Sequence, residues 1–299
     1  MLDLLIVGSG PAGLSAAVYA KRSNLDFMVA EQEFLGTGQI AKSFRVDNYL
    51  GYYGITGYDL GEKFRLHAEE LRVPFHTGEV CACVKIDGGW KIGFTDGRQQ
   101  EARTLIWAAG TRTRHLNIIG REKFEAEYIH SCAVCDGPAY DDKAVAVVGG
   151  GDTALDTALF MTNFCNQVYL IHWMDQFQGN PATLKKLEKM STVEILPGTS
   201  VLMAEGEDRL RGLVLSSGRR IPVDGLFEAV GALPCTDILK GLVELDSQGY
   251  IVAGEDGVTS CPGFFAAGDV RTKNLRQVST AVGDGANALH SVQDYLKMI

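Results

Sequence analysis

Short, wholly apolar runs, each closed by glycine and followed by helical spacing, dominate the hydrophobic pattern of this chain. Leu4-Leu-Ile-Val7 leads into Gly8-Ser-Gly-Pro-Ala-Gly13 and then into Leu14-Ser-Ala-Ala-Val-Tyr-Ala20. An apolar run without alternation reads as a strand buried on both faces, and the segment after it as a helix laid on the sheet. The pattern recurs near mid-chain. Val145-Ala-Val-Val148 precedes Gly149-Gly-Gly-Asp-Thr-Ala154 and the helix-like Leu155 to Met161, and Val168-Tyr-Leu-Ile171 is the next strand. Two such units predict an α/β chain with two Rossmann-like, three-layer nucleotide-binding domains. A third apolar strand, Gly263-Phe-Phe-Ala-Ala267, needs a sheet to join. Returning it to the first domain makes the second an insertion, with expected spans 1–113 and 245–299 for one and 114–244 for the other. Gln277 to Leu296 has helix-compatible spacing broken by Gly283 and Gly285. Asp87 to Arg98 alternates and ends in Asp96-Gly97, which predicts an antiparallel meander beside the first sheet.

Composition narrows the partners. With 46% apolar residues among 299, the chain can bury cores for two domains. The 28 basic and 37 acidic residues give a charge of -9 with no block of one sign, which argues against nucleic acid or an anionic membrane. No apolar run approaches the roughly 20 residues that span a bilayer. The start, Met1-Leu-Asp-Leu-Leu-Ile-Val7, carries no basic segment or cleavage site, so the expected location is cytoplasmic. Seven cysteines is an odd number, and most stand alone, which disfavours a secreted disulfide framework. Cys81, Cys83, Cys165, Cys235 and Cys261 read as small apolar filling.

Three motifs carry chemistry. Gly8, Gly10 and Gly13 fill G-x-G-x-x-G between strand and helix. The first glycine turns tightly, the second lets a pyrophosphate approach, the third lets helix and strand pack, and the helix N-terminus attracts phosphate. Glu31 ends the next apolar run, about 20 residues on, where a carboxylate accepts hydrogen bonds from a ribose. Three glycines alone would also make a plain strand-to-helix turn; strand, helix and acid together favour the cofactor site. The second motif, Gly149, Gly151 and Ala154, fills G-x-G-x-x-A. Its strand, however, ends in His172-Trp-Met-Asp-Gln-Phe-Gln178, with Asp175 late for a ribose and no arginine between Arg121 and Arg209. A domain kept as scaffold with an altered site fits these residues as well as a working one. The third motif is Ser131-Cys132-Ala-Val-Cys135-Asp136-Gly137. Cys132 and Cys135 are spaced to cycle between dithiol and disulfide, and Asp136 beside them is placed for proton transfer. Half of a structural zinc site is the weaker alternative, since about four ligands are needed and only His130 and the distant Cys81 and Cys83 are on hand.

In this order the motifs resemble the low-molecular-weight bacterial thioredoxin reductases along nearly the whole chain. The resemblance also rests on Gly36-Thr-Gly-Gln39, on Val46-Asp-Asn-Tyr49, and on Phe264-Phe-Ala-Ala-Gly-Asp-Val270 leading to Arg276-Gln-Val278. It implies FAD as cofactor, with Gln39, Asn48, Gly268, Asp269, Arg276 and Gln277 among its contacts. It also implies a homodimer with thioredoxin as partner. Cys135 would be the flavin-side thiol, Cys132 would attack the partner disulfide, Asp136 would serve as acid and base, and the dithiol domain would rotate about its connectors. One departure concerns the electron donor. Family members that use NADPH carry His-Arg-Arg-x-x-x-Arg after the second fingerprint, and all three arginines are replaced here. The sequence therefore favours reduced ferredoxin, then NADH, over NADPH. A related flavoprotein such as a ferredoxin NADP reductase is a competing reading, disfavoured by the C-x-x-C. A non-enzymatic redox sensor is another, which steady turnover would remove.

Overall fold

The computed structural model describes the chain except for Phe34, Leu35, Phe44, Arg45, Asp47 and Ala126, and gives only the backbone of Lys42, Val134 and Cys135. Two compact units emerge, Met1–Arg112 with Leu233–Ile299, and Thr113–Ala232.

The first unit opens with β1 (Leu2–Val7), α1 (Pro11–Arg22), β2 (Phe27–Glu31), α2 (Gly57–Glu70) and β3 (Phe75–Thr77). A meander follows: β4 (Val80–Ile86), β5 (Gly89–Phe94) and β6 (Gln99–Trp107). The described strands lie in the order β3-β2-β1-β6-β5-β4. The meander extends the sheet rather than lying beside it, because β6 pairs antiparallel with β5 over Gln99–Ala102 and parallel with β1 over Ala102–Trp107. Its tight turns need left-handed backbone at Gly88 and Gly97, with φ of 73° and 86°. The unalternated run of β1 is explained by burial on both faces. Leu4 and Ile6 face a core with the alanines of α1, while Leu5 and Val7 face another with Trp90, Leu105 and Phe264. Each such side chain, fully buried, contributes about 1.5–3 kcal/mol.

The second unit is entered through β7 (Thr111–Thr113). It continues with the single turn α3 (Arg121–Phe124), β8 (Ile129–His130), the single turn α4 (Ala133–Asp136), β9 (Ala144–Val148), α5 (Asp152–Met161), β10 (Gln167–Ile171), α6 (Pro181–Leu187) and β11 (Val193–Leu196). An antiparallel excursion, β12 (Val201–Glu205), β13 (Gly212–Leu215) and β14 (Arg220–Pro222), precedes β15 (Gly225–Glu228). The main sheet has the order β11-β10-β9-β15-β8 and is parallel throughout. Strand β9 repeats the logic of β1, with Val145 and Val147 in one core and Ala146 and Val148 in the other.

The chain leaves through β16 (Ala232–Pro234), which pairs with β7, so the two connectors form one small ladder. Residues 233–244, allotted by the sequence to the inserted domain, cluster with the first unit. Their apolar side chains Leu239 and Val243 are buried with Trp107, Ile251 and Phe264, and the Trp107 indole donates to the Cys235 carbonyl. Strand β17 (Phe264–Ala266) joins the first sheet against β6, as its apolar run required. The last element, α7 (Val278–Met298), is continuous. Gly283 and Gly285 do not break it. A Cβ on Gly285 would stand 2.1 Å from the Ala12 carbonyl oxygen, so this glycine lets α7 lie directly on α1. No described helix is long and apolar enough to cross a membrane.

Candidate active site

At the carboxyl end of β1 the chain turns through Gly8 with φ of 108°, where a Cβ would lie 2.4 Å from the Ala108 carbonyl oxygen. A Cβ on Gly13 would lie 1.8 Å from the Gly8 carbonyl oxygen, so only glycine allows α1 to start this close to the strand. Gly10 differs: its nearest neighbour is the Gly38 Cα at 3.9 Å. The space over it is open, at a helix N-terminus with Pro11 at the first position and no side-chain cap among the described residues. The three glycines thus separate into two that close the backbone and one that leaves room for a phosphate.

Glu31 ends β2 at 2% exposure. Its Oε2 accepts from Arg65 Nη1 at 2.5 Å, and Arg65, laid over the Phe75 ring, also holds Glu69. Its Oε1 is buried with no partner among the described residues. A buried oxygen left unpaired costs about 1–3 kcal/mol unless a donor arrives, and a ribose hydroxyl is such a donor.

A second orphan lies across α1. Gly268 takes φ of 81°, its Cβ position 2.8 Å from the Ala12 Cβ, and directs the chain into Asp269, whose Oδ1 is buried without a partner among the described residues. Burial pushes the Asp269 carboxyl above the usual carboxylate range, against the pull of Lys273 and Arg276. Beneath this turn Asp284 accepts from the Gly268 N–H at 3.0 Å, from Arg271 through both carboxylate oxygens at 2.9 and 2.6 Å, and from Lys273 at 2.8 Å. Arg276 stacks over Tyr250 at 4.0 Å and donates to the Asp269 carbonyl. Gln277 caps α7 and accepts from the Asn48 amide at 2.9 Å. Gln39 donates to the carbonyl and hydroxyl oxygens of Thr111. The sequence-predicted residues Gly8, Gly10, Gly13, Glu31, Gln39, Asn48, Gly268, Asp269, Arg276 and Gln277 therefore all fall in the first unit, while Asp47 lies outside the described residues. Two buried, unpaired carboxylate oxygens and an open glycine turn in one unit fit a dinucleotide carrying hydroxyls and a diphosphate.

The dithiol motif lies in the second unit, where Cys132 precedes α4 in extended backbone and is disulfide-bonded. A disulfide sulfur is not a zinc thiolate, which removes the structural-zinc alternative for this residue. The side chain of Cys135 lies outside the described residues. Asp136 ends the turn, its N–H donating to the Cys132 carbonyl at 3.0 Å and its Oδ2 lying 3.3 Å from His130 Nδ1. Of the other cysteines, Cys83 and Cys165 are buried, and burial pushes their thiols to about 12 and about 11, too high to offer a thiolate at neutral pH. Cys81, expected as apolar filling, is instead exposed on β4.

The second glycine turn repeats the first in backbone only. Gly149, with φ of 152°, would place a Cβ 2.3 Å from the Ala229 carbonyl oxygen, and Gly151 is open. A Cβ on Gly150 would meet the His172 ring at 2.3 Å, and that ring is buried with neither nitrogen partnered among the described residues. The N–H groups of Gln178 and Gly179 donate to the Gly150 carbonyl at 2.8 and 3.0 Å, and Asp152 accepts from Asn180 N–H at 2.6 Å. Trp173 is 69% exposed and Met174 38%, and Asp175 Oδ1 sits 2.7 Å from where a Gly198 Cβ would stand.

The chain matches the pyridine nucleotide-disulphide oxidoreductase family over residues 2–285 and belongs to it: it is a flavin-dependent disulfide oxidoreductase whose cofactor is FAD. It is 36% identical over 301 residues to the thioredoxin reductase of Mycolicibacterium smegmatis, covering 98% of this chain and 96% of the relative. It is 35% identical over 300 residues to a 34.2 kDa protein in the rubredoxin operon of Clostridium pasteurianum, covering 99% and 97%. Among solved structures it is similar to the thioredoxin reductase of Streptococcus pyogenes MGAS5005, with a TM-score of 0.85, 36% identity, and 100% and 99% of the two chains covered.

Proposed function

We propose that this protein is a cytoplasmic, homodimeric thioredoxin reductase that draws electrons from a donor other than NADPH, reduced ferredoxin first and NADH second. The observation that carries the reductase reading is the disulfide-bonded Cys132 at the head of a turn closed by Asp136. Gly8, Gly10, Gly13 and the start of α1 would hold the FAD diphosphate, with Glu31 Oε1 on the ribose. Gly268 and Asp269 would take the diphosphate and ribityl hydroxyls, and Gln39, Asn48, Arg276 and Gln277 would lie along the ring system. Bound FAD supplies a two-electron store between donor and disulfide.

Two electrons and two protons open the Cys132–Cys135 disulfide to the dithiol. Cys132 passes its proton to Asp136 and attacks one sulfur of the thioredoxin disulfide. That S–S bond breaks, a mixed disulfide forms, and the departing sulfur takes the proton back from Asp136. The Cys135 thiolate then attacks Cys132, releasing the second thioredoxin sulfur, which takes the proton Cys135 gave up. Thioredoxin gains two electrons and two protons, and the enzyme loses them.

The donor reading is supported by the end of β10, where Trp173, Met174 and Gln178 stand in place of arginines and the chain after them folds back on the Gly150 carbonyl. A ferredoxin delivers one electron, so two molecules would serve each disulfide. Anaerobic stopped-flow bleaching of the flavin by NADPH, NADH and reduced ferredoxin, each followed by addition of oxidised thioredoxin, tests both parts. Fast, saturable bleaching by micromolar NADPH would overturn the donor assignment; a reduced enzyme that leaves thioredoxin oxidised would overturn the reductase assignment.

A further inference from the structure

Behind the dithiol turn, two polar side chains that take no part in the exchange steps above extend in a row from Asp136. His130, the last residue of β8, has its side chain 14% exposed. Its Nδ1 lies 3.3 Å from Asp136 Oδ2, and its Nε2 lies 2.6 Å from the Tyr140 hydroxyl. The ring rests on Phe227 at 5.2 Å and 32°, and Tyr140 meets the same phenyl edge-on at 5.5 Å, so packing fixes both aromatic partners. Tyr140 is 5% exposed, and its only other described acceptor is the Glu127 carbonyl at 3.5 Å.

The proton positions follow from this inventory. Tyr140 is held in its protonated form, first by burial and then by the charge of Asp136, with Tyr128, Asp224 and Cys165 acting in the same direction. Lys143 lies over its ring at 5.5 Å. The phenol therefore donates, and the acceptor at 2.6 Å is Nε2. A neutral imidazole that accepts at Nε2 carries its proton at Nδ1, beside Asp136. When the ring gains a second proton, Nε2–H donates to the Tyr140 oxygen and the phenol turns to the Glu127 carbonyl. Both charge states are thus satisfied without moving a heavy atom.

The geometry points to His130 as a positioning residue of thiol exchange, its Nδ1 placed 3.3 Å from the Asp136 carboxylate to steady it and share its proton, with Tyr140 fixing the tautomer. The inference rests on the reductase reading and deepens it. As Cys132 gives up its proton, the Asp136–His130 pair takes it, and the pair returns it to the departing thioredoxin sulfur; no electron passes through either residue. Glutamine has an amide that donates toward Asp136 but no second proton to store, so it keeps the positioning and loses the sharing.

The test is single-turnover oxidation of the dithionite-reduced holoenzyme by thioredoxin, followed from pH 5 to 9 for wild type, His130→Gln, His130→Ala and Tyr140→Phe. For His130→Ala the exchange rate should fall by about tenfold or more. The shape of the pH profile of exchange should change as well, because the proton taken from Cys132 loses its second holder beside Asp136. His130→Gln should restore part of the rate without the wild-type pH profile, and Tyr140→Phe should have a smaller effect in the same direction. Flavin reduction by the donor should be unchanged in all four. If His130→Ala releases FAD, the Gln and Phe variants carry the test. Profiles superimposable on wild type in the variants that retain FAD would overturn the positioning role while leaving the reductase reading intact. Wild-type enzyme that exchanges at no pH would overturn the reductase reading, and this inference with it.

Discussion

The two glycine turns of this chain have nearly the same backbone and opposite surroundings. In the unit whose open glycine is Gly10, two carboxylates, Glu31 and Asp269, each keep a buried oxygen that no described residue satisfies. In the second, Gly151 is equally open, yet the end of β10 presents Trp173 and Met174, and the buried carboxylate of that unit, Glu228, is fully engaged. Glu228 accepts from Arg121 Nε and Nη2 at 3.1 Å each, from the Leu116 N–H at 2.8 Å, and meets His115 Nδ1 at 2.8 Å. A glycine fingerprint is thus a requirement of strand-to-helix packing that both units meet. Both turns leave buried polar atoms without a described partner: at the first they are carboxylate oxygens able to accept from a ligand's hydroxyls, at the second the two ring nitrogens of His172 against Gly150.

The largest effect should come from filling the open glycines. Gly10 and Gly151 both have extended backbone that valine adopts freely, so neither substitution should unfold its unit. Gly10→Val should weaken FAD binding by about two powers of ten or more, through loss of charge-assisted contacts worth roughly 1.5–3 kcal/mol each. Gly151→Val should leave flavin content unchanged and, with ferredoxin as donor, flavin reduction unchanged too. Absorbance of the purified variants and stopped-flow traces decide it; equal losses in both would show that the two turns do the same work.

Next in size is the reverse graft. Trp173→Arg, Met174→Arg and Gln178→Arg together place guanidinium forks on exposed positions at the end of β10. Each fork that reaches a 2′-phosphate should improve NADPH binding by about one to two powers of ten. Lys185 and Lys186, in the last turn of α6, supply charge but no planar fork. A triple variant reduced by NADPH no faster than wild type would mean that the fold-back of Gln178 and Gly179, not the lost arginines, closes the site.

Much of this was readable in the sequence wherever the signal is local. The runs at Leu4 and Val145, the glycine spacings, Glu31 at the end of its strand and Gly268-Asp269 after β17 all depend on residues close in the chain. What escaped depends on pairs that only packing brings together. Arg65 reaches Glu31 from 34 positions away, and Asp284 clamps the Gly268 turn from 16 positions on, with nothing in its own helix to mark it. Gly285 read as a helix breaker because periodicity registers the missing side chain and not the neighbour that needs its space. His130 read as a possible metal ligand until β8 and α4 set it beside Asp136.

A smaller effect concerns Glu228. Burial alone would raise its pKa, but the hydrogen bonds from Arg121, His115 and Leu116 outweigh this and hold its carboxyl below the usual range. A depressed folded value means stability that is present above the unfolded pKa, near ~4.5, and is lost as pH falls through the folded value. Glu228→Gln should cost about 3 kcal/mol at neutral pH, since it leaves Arg121 without its buried partner, and should flatten the acid limb of unfolding of the second unit. Denaturant melts at pH 7 and pH 4, read by tyrosine and tryptophan fluorescence, would expose an error here if the variant lost as much stability on acidification as wild type.

Asp269 should give the smallest effect and the opposite sign. Its folded pKa is raised by burial, so the folded FAD-free chain binds the proton more readily than the unfolded chain does. Its contribution therefore improves as pH falls through the raised folded value and levels off below the ordinary aspartate value of about 3.9. Other carboxylates, Glu228 among them, titrate in the same range with the reverse slope, so the whole-protein curve cannot isolate it. The difference between wild type and Asp269→Asn can. In the FAD-free protein, wild type should gain on Asp269→Asn as the solution is acidified, because only wild type sheds a buried charge. With FAD bound, the proposed contact of a ribityl hydroxyl with Oδ1 would satisfy the charged form, and the difference should lose its dependence on pH. Matched denaturant titrations of the two proteins, with and without the flavin, measure this directly, and a wild-type-minus-variant curve with the same slope in both states would mean that the Asp269 oxygen is not where the cofactor completes the site.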